Sequence, residues 1–217
     1  FMQQLGEEIL KFEERVNVKL PKTDSREKHE KTYVENARFE RLLSDQCIYI
    51  YRDSEGREMI FLSYVDDIVC ATNDIALRDR FFRHLQKKWN VTEEGTLDRF
   101  LAIHFTRTND GWGWRADMTA YIEKIAARFN LLETRLYKTP MEPGFCLTES
   151  DFDVEPTEDM IHDMRSMIGS ISYAMTALRY DVAYAVSALS RHLVRPCQKV
   201  IDAAKRVIVY LYSTRNF

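Results

Sequence analysis

The chain has 217 residues, 45% hydrophobic and 30% charged, with a formal net charge of −3; this is an ordinary globular composition, long enough for a real core in one large or two small domains. No apolar run reaches the roughly 18 residues of a membrane helix, and Phe1-Met2-Gln3-Gln4 lacks the basic-then-apolar layout of a signal peptide. Four dispersed cysteines (Cys47, Cys70, Cys146, Cys197) without a CxxC pair, and five scattered histidines, exclude a zinc site or disulfide frame and point to a reducing compartment.

Met2, Leu5, Ile9, Phe12 and Val16 recur at three- and four-residue spacing, which predicts an amphipathic helix over 2–16. The charge-dense stretch from Lys19 to Glu35 reads as loop or frayed helix. Gln46 to Arg52 and Glu58 to Tyr64 read as strands joined by a turn at Asp53-Ser54-Glu55-Gly56. Ile68 to Thr72 is the next strand, and Asn73 or Asp74 caps a helix to about Trp89. A second hairpin follows, Phe100 to Thr108 and Trp112 to Arg115 around Asn109-Asp110-Gly111. Met118 to Phe129 is a short helix. The expected antiparallel sheet comprises 46–72 and 99–116, with helices 74–89 and 117–129 on one face.

From Glu142 to Asp163 eight acidic residues occur with no Lys or Arg; from Met164 to Phe217 eight basic residues face only Asp181 and Asp202. This contrast reads as an acidic linker over 142–163 and then a separate helical subdomain, with helices over Met164–Ala177, Asp181–Leu193 and Lys199–Tyr212. The organisation is therefore an unassigned 1–37, a mixed part over 38–141, the linker, and a helical part over 164–217. Mixed strands and helices followed by helices alone give an α+β fold class.

The most informative stretch runs from Met59 to Ala71, where two apolar strands meet at Asp66-Asp67. A tight hairpin there holds two adjacent carboxylates at the rim of a sheet. Hard cations such as Mg²⁺ take such oxygen ligands and keep water and phosphates as the rest. On these four letters alone, an ordinary Asp-rich turn is the favoured reading of Tyr64-Val65-Asp66-Asp67.

Other motifs decide between the two. Ser44-Asp45-Gln46-Cys47-Ile48-Tyr49, Tyr64-Val65-Asp66-Asp67-Ile68, Gly95-Thr96-Leu97 with Phe100-Leu101-Ala102-Ile103, Tyr121-Ile122-Glu123-Lys124, Thr139-Pro140-Met141-Glu142-Pro143, and Gly169-Ser170-Ile171-Ser172-Tyr173 with Thr176-Ala177-Leu178-Arg179-Tyr180-Asp181-Val182-Ala183 stand in order along the chain. Together with Ala204-Lys205-Arg206-Val207, they resemble the reverse transcriptase domain of copia-type LTR retrotransposons from about residue 38 onward. Ala102 replaces a usual Gly, and Tyr180 a usual Pro.

The resemblance implies an antiparallel palm-like sheet with packed helices, followed by a small thumb- or connection-like helical subdomain, cut from a Pol polyprotein. It implies that Asp66 and Asp67 are catalytic metal ligands for Mg²⁺ or Mn²⁺, that Tyr64 lies beneath the primer end, and that Trp114 belongs to a primer-grip hairpin. Arg191, Lys205 and Arg206 become candidate phosphate contacts, although for each one singly a solvated helix face is the favoured reading. The implied partners are an RNA template, a DNA primer and dNTPs, together with the fingers, integrase and ribonuclease H parts of the polyprotein. No membrane is involved. The implied location is intracellular, in a cytoplasmic virus-like particle or the nucleus, and not secreted.

Such a polymerase needs a further aspartate, carried in the family by an upstream stretch resembling Asp-Val-Lys-Thr-Ala-Phe. The aspartates preceding the hairpin are Asp24, Asp45 and Asp53, and none opens an apolar strand. The expectation is therefore a truncated or excised RNA-directed DNA polymerase domain, inactive in isolation and weak in metal binding. The alternative is a noncatalytic nucleic-acid-binding or assembly module derived from one.

Overall fold

The computed structural model describes residues 14–19, 39–64, 67–88, 90–133 and 135–216. The fold is α+β, and the chain divides into two compact units: Phe1–Leu101 with Phe105–Arg115, and Ala102–His104 with Ala116–Phe217.

The first unit holds β1 (Glu14–Lys19), β2 (Glu40–Arg41), β3 (Ile48–Arg52), β4 (Glu58–Tyr64), β5 (Asp67–Thr72), α1 (Ile75–Lys88) and β6 (Thr92–Thr96). These strands form one six-stranded sheet in the order β2-β3-β4-β5-β1-β6, in which every pairing is antiparallel. Strand alternation divides the apolar residues between two faces. Tyr49, Met59, Phe61, Ile68 and Cys70 pack with Leu77, Phe81, Phe82 and Leu85 of α1. Ile48, Ile60 and Ala71 form the other face's cluster, with Leu42, Ile50 and Leu62 against it. Tyr49 stacks on Phe61 at 4.6 Å, and Phe61 tilts against Phe81 at 5.2 Å.

The end of the β3–β4–β5 meander away from the 64–67 hairpin is fastened twice, with Asn73 Nδ2 donating to the Gly56 carbonyl between the two fastenings. At the β3–β4 turn, the Asp53 carboxylate accepts from the Glu55 and Arg57 backbone N–H groups, from Arg57 Nε at 2.7 Å and from the Tyr51 hydroxyl. Partial burial pushes this carboxyl's pKa up, but the Arg57 guanidinium and the backbone donors outweigh it and hold it down at about 2. Asp74 caps α1 as expected, its Oδ1 accepting from Leu77 N–H at 2.7 Å.

β1 overturns an expectation. Its span includes Val16, placed above in a helix over 2–16; residues 2–13 of that helix, and the 20–35 part of the charged loop, lie outside the described residues. Glu14-Arg15-Val16-Asn17-Val18-Lys19 alternates at period two where its valines fall, and strands on both sides satisfy its backbone, which outweighs a helical spacing shared with earlier residues. β6 was likewise not foreseen; all its residues are exposed, so no apolar pattern marks it.

β7 (Arg99–Phe100), β8 (Ile103–Arg107) and β9 (Trp114–Asp117) form a separate three-stranded sheet, not an extension of the first as expected. The β7–β8 connection is two residues long, Leu101 and Ala102, with φ of 51° and 62°. Such a turn needs left-handed backbone at both positions. The usual Gly at Ala102 in copia-type sequences suits that geometry.

The second unit contains α2 (Thr119–Arg128), α3 (Glu158–Ala177), α4 (Ala183–Ser190) and α5 (Gln198–Ser213), with short 3₁₀ turns at Glu149–Phe152 and Tyr180–Val182. Ile122, Ile125 and Ala126 of α2 share one core with Met164, Ile168 and Ile171 of α3, Leu189 of α4 and Val207, Ile208 and Leu211 of α5. The 117–129 helix thus packs in the helical core rather than on the strand unit's sheet, because its apolar stripe is completed by α3 and α5. α3 starts at Glu158, not 164: Thr157 Oγ1 accepts from Met160 N–H, and Glu158 and Asp159 occupy the first turn, where carboxylates suit the helix dipole. The compact units divide near residues 102 and 116, not at the acidic stretch.

Candidate metal-binding hairpin

Alternation along β4 sets the site's face. Met59 and Phe61 point to α1, Ile60 and Leu62 to the opposite side, so Tyr64 falls on the side away from α1. Tyr64 lies opposite Asp67 in the β4–β5 register, and cross-strand partners share a face. Asp67 therefore lies on the same side as Val69 and Ala71. Tyr64 is 49% exposed and Asp67 half-buried. The two residues between them in sequence are Val65 and Asp66. Asp66, the other expected ligand, lies outside the described residues.

β5 is flanked on both sides. On the side away from β4 its neighbour is β1, with Lys19 opposite Asp67 and Asn17 opposite Val69. The sequence reading missed β1 as a neighbour of the hairpin. The signal available was the Val16–Val18 alternation, hidden beneath a helical spacing. Among the described residues no three His, Cys, Asp or Glu side chains group to hold a metal. A carboxylate on an interior strand beside a second acidic residue has the donor chemistry a hard divalent cation takes.

The other expected contacts are dispersed. Trp114 opens β9, with the Arg107 guanidinium 5.9 Å from its ring centroid. Arg191 follows α4 and is exposed; Lys205 lies on α5 and is half-buried. Arg206 lies 4.1 Å over the Tyr137 ring and donates to Thr139 Oγ1 at 3.1 Å, so its guanidinium serves to hold the 137–139 segment against α5. The basic block is also more neutral than its composition suggests. Arg195 pairs with Glu155 at 2.6 Å, Lys199 with Asp151 at 3.3 Å, Arg215 with Glu123 at 2.9 Å and Arg179 with Asp181 at 2.8 Å. The acidic stretch thus supplies partners to the helices that follow it.

Arg179 is buried. Its Nη groups also donate to the Thr214 carbonyl at 3.2 Å and to Thr214 Oγ1 at 2.6 Å, closing the end of α5. The Tyr210 hydroxyl donates to Asp181 Oδ2 at 2.8 Å. Burial raises the Asp181 pKa, but the Arg179 and Tyr210 donors override it and hold the carboxyl below the usual range; burial and the Asp181 carboxylate push the Tyr210 phenol up.

Comparison with known proteins gives one family match and a set of relatives. Residues 26–143 match the family profile described as reverse transcriptase (RNA-dependent DNA polymerase). The chain is 28% identical over 186 residues to the retrovirus-related Pol polyprotein from transposon TNT 1-94 of Nicotiana tabacum, covering 84% of this chain and 14% of that protein. It is 31% identical over 187 residues to the retrovirus-related Pol polyprotein from transposon RE2 of Arabidopsis thaliana, covering 85% and 12%. It is 29% identical over 170 residues to the putative transposon Ty5-1 protein of Saccharomyces cerevisiae, covering 78% and 53%. The chain spans only a small part of the two polyproteins and about half of the yeast protein. No solved structure matches it.

Proposed function

From a chain that belongs to the reverse transcriptase (RNA-dependent DNA polymerase) family, we propose that the strand unit is the palm of a retrotransposon polymerase and the helical unit its thumb- or connection-like part. The observation that carries this reading is the Tyr64–Asp67 pairing at the end of two central strands, on the face away from α1. That face is where a template–primer duplex would lie. Asp66 and Asp67 would hold Mg²⁺ or Mn²⁺, and Tyr64, half exposed opposite Asp67, would support the primer end. When bound, the metal supplies charge stabilisation at the phosphate oxygens of the transfer. Trp114, Arg191 and Lys205 are proposed nucleic-acid contacts; contacts to phosphate position a strand without reading its sequence.

β1 carries Asn17-Val18-Lys19 beside β5. This string is similar to the Asp-Val-Lys with which the family supplies its further aspartate, with Asn in place of Asp. On this reading position 17 corresponds to the third ligand, and the sequence carries Asn there instead of the required Asp. The isolated chain then binds RNA template, DNA primer and dNTPs in an intracellular setting but does not extend the primer. This observation equally favours the second reading, a binding module derived from a polymerase. The deciding test is template–primer binding and RNA-templated extension by the 217-residue chain and its Asn17→Asp variant: both readings expect the wild type to bind without extending, extension by the variant favours the polymerase palm, binding without extension by both favours the module, and absence of binding rejects the palm reading.

A further inference from the structure

Two tyrosines of the helical unit stand in solvent, one on the turn that Arg179 and Asp181 fasten and one on α4 just after it. Tyr180 is 69% exposed and Tyr184 76%. Tyr180 sits between Arg179 and Asp181, whose side chains are joined to each other by two hydrogen bonds of 3.0 and 2.8 Å and to Thr214 and Tyr210 of the α5 end. The turn is anchored from below by Val182, which is fully buried. Tyr184 follows one turn later in α4, and Ser187 and Arg191, both exposed, continue the same stripe. The intervening Val186 and Leu189 face the core.

Exposed rings on a rigid turn have area to bury and little conformational freedom to lose on binding. The charge along the stripe selects the occupant. α4 itself, Ala-Tyr-Ala-Val-Ser-Ala-Leu-Ser, has no charged residue, and Arg191 follows it as a cation. Asp181, the carboxylate beside Tyr180, is already engaged by Arg179 and Tyr210. A ligand that matches is anionic and carries flat faces. Arg191 lies seven residues beyond Tyr184, about 10 Å along a helix, within reach of a phosphate on a strand whose bases lie on the tyrosines.

We propose that Tyr180, Tyr184 and Arg191 form a stacking platform for an unpaired nucleic-acid strand, its bases on the two phenol rings and its backbone at Arg191. The proposal deepens the reverse-transcriptase reading and rests on it, but it uses residues apart from the Tyr64–Asp67 hairpin.

The test is anisotropy titration of the full chain with a short fluorescein-labelled oligouridylate. Tyr180→Ala and Tyr184→Ala should each weaken binding about tenfold, the scale of one lost base–aromatic stack, while Tyr180→Phe and Tyr184→Phe retain it. Arg191→Ala should lower the slope of log affinity against log salt by about 0.7, one phosphate contact on a single strand, whereas the Tyr→Ala variants leave that slope alone. Photo-cross-linking of a 5-iodouridine oligomer should map to Tyr180 or Tyr184. Wild-type affinity in both Ala variants overturns the platform, as does a wild-type chain that binds no oligouridylate. Ala variants that dissociate a self-associated chain in sedimentation while keeping oligouridylate affinity assign the stripe to a protein interface and also overturn it. Because Asp67→Asn leaves the stripe untouched, manganese and template–primer measurements on that variant judge the palm reading separately.

Discussion

Lys19 of β1 lies opposite Asp67 of β5, and Asp67 faces Tyr64 of β4 on its other side. The acidic position is therefore interior to the sheet, held by ladders on both flanks. A slip of one residue in either ladder would turn Asp67 to the α1 face, where Ile68 and Cys70 already fill the space. The register that builds the core thus also sets the face on which a metal would sit.

That placement predicts weak, hairpin-centred metal binding. Manganese titration followed by NMR should broaden the Tyr64, Asp67 and Ile68 amide signals first, with a dissociation constant of roughly millimolar order, as expected of sparse carboxylate ligation. Asp67→Asn should erase the effect. Tight binding that survives Asp66→Ala would place the site elsewhere.

Ala102 offers a stability test at the β7–β8 turn. Its φ of 62° follows Leu101 at 51°, and a Cβ in left-handed backbone costs about 1–2 kcal/mol. Ala102→Gly removes that cost but loosens the unfolded chain, so the net expectation is a gain of about 0.5–1 kcal/mol. Urea unfolding measures it; a loss of stability would show that the turn is not left-handed at this position.

The hairpin was legible because its signal is local: Met59–Leu62 and Ile68–Ala71 are apolar on both sides of two acidic residues, and the turn is short. β1 was not, because Val16 fits both a helical spacing with Phe12 and a strand alternation with Val18. The deciding partner, β5, lies some fifty residues downstream. α2 shows a different limit. Its stripe of Ile122, Ile125 and Ala126 says that one face is buried, not that α3 and α5 cover it. Charge was the least transparent feature. Glu155 and Asp151 read as linker residues until Arg195 and Lys199 are seen beside them, and Arg206 read as a phosphate contact until Tyr137 is found beneath it.

Arg179 should be among the costliest residues to remove. Its side chain is 9% exposed, against 38% for Asp181, and loss of one member of a buried pair leaves the other's charge uncompensated. Arg179→Met is expected to destabilise the helical unit by about 3 kcal/mol, the low end for buried pairs because Asp181 is partly solvated. Thermal unfolding with Asp181→Asn alongside measures it. Non-additivity in the double variant identifies the pair, and full additivity would mean the two residues act independently.

The β3–β4 turn should respond to acid. Asp53 titrates at about 2 in the fold against 3.8 ordinarily, so the unfolded chain takes up the proton first. The turn's contribution is complete above the unfolded value, declines as pH falls through 3.8, and is gone below about 2. Amide exchange at Glu55 and Arg57, whose N–H groups the carboxylate accepts, should accelerate over that window. Asp53→Asn should flatten the response; an unchanged profile in that variant would assign the acid sensitivity to another group.

The last prediction concerns chemistry. Phosphoryl-type transfer depends almost wholly on positioning and charge stabilisation, and a two-metal site needs its ions about 3.5–4 Å apart under fixed ligation. On the proposed reading, residue 17, opposite Val69 in the β1–β5 register, corresponds to the position where the family carries a carboxylate, and this chain has Asn there. The wild-type chain should therefore bind a template–primer duplex, more weakly as salt rises, without extending it. Asn17→Asp should tighten manganese binding at the Tyr64–Asp67 end by about tenfold or more, because it adds a charged oxygen ligand to a site with few. Primer extension by Asn17→Asp, abolished by a further Asp66→Asn, would show that one amide separates this chain from polymerase chemistry. Tighter metal binding without extension would mean that substrate positioning is also missing. Extension by the wild type, lost in Asp66→Asn, would mean that a third ligand other than residue 17 completes the site, and the assignment of Asn17 would fall.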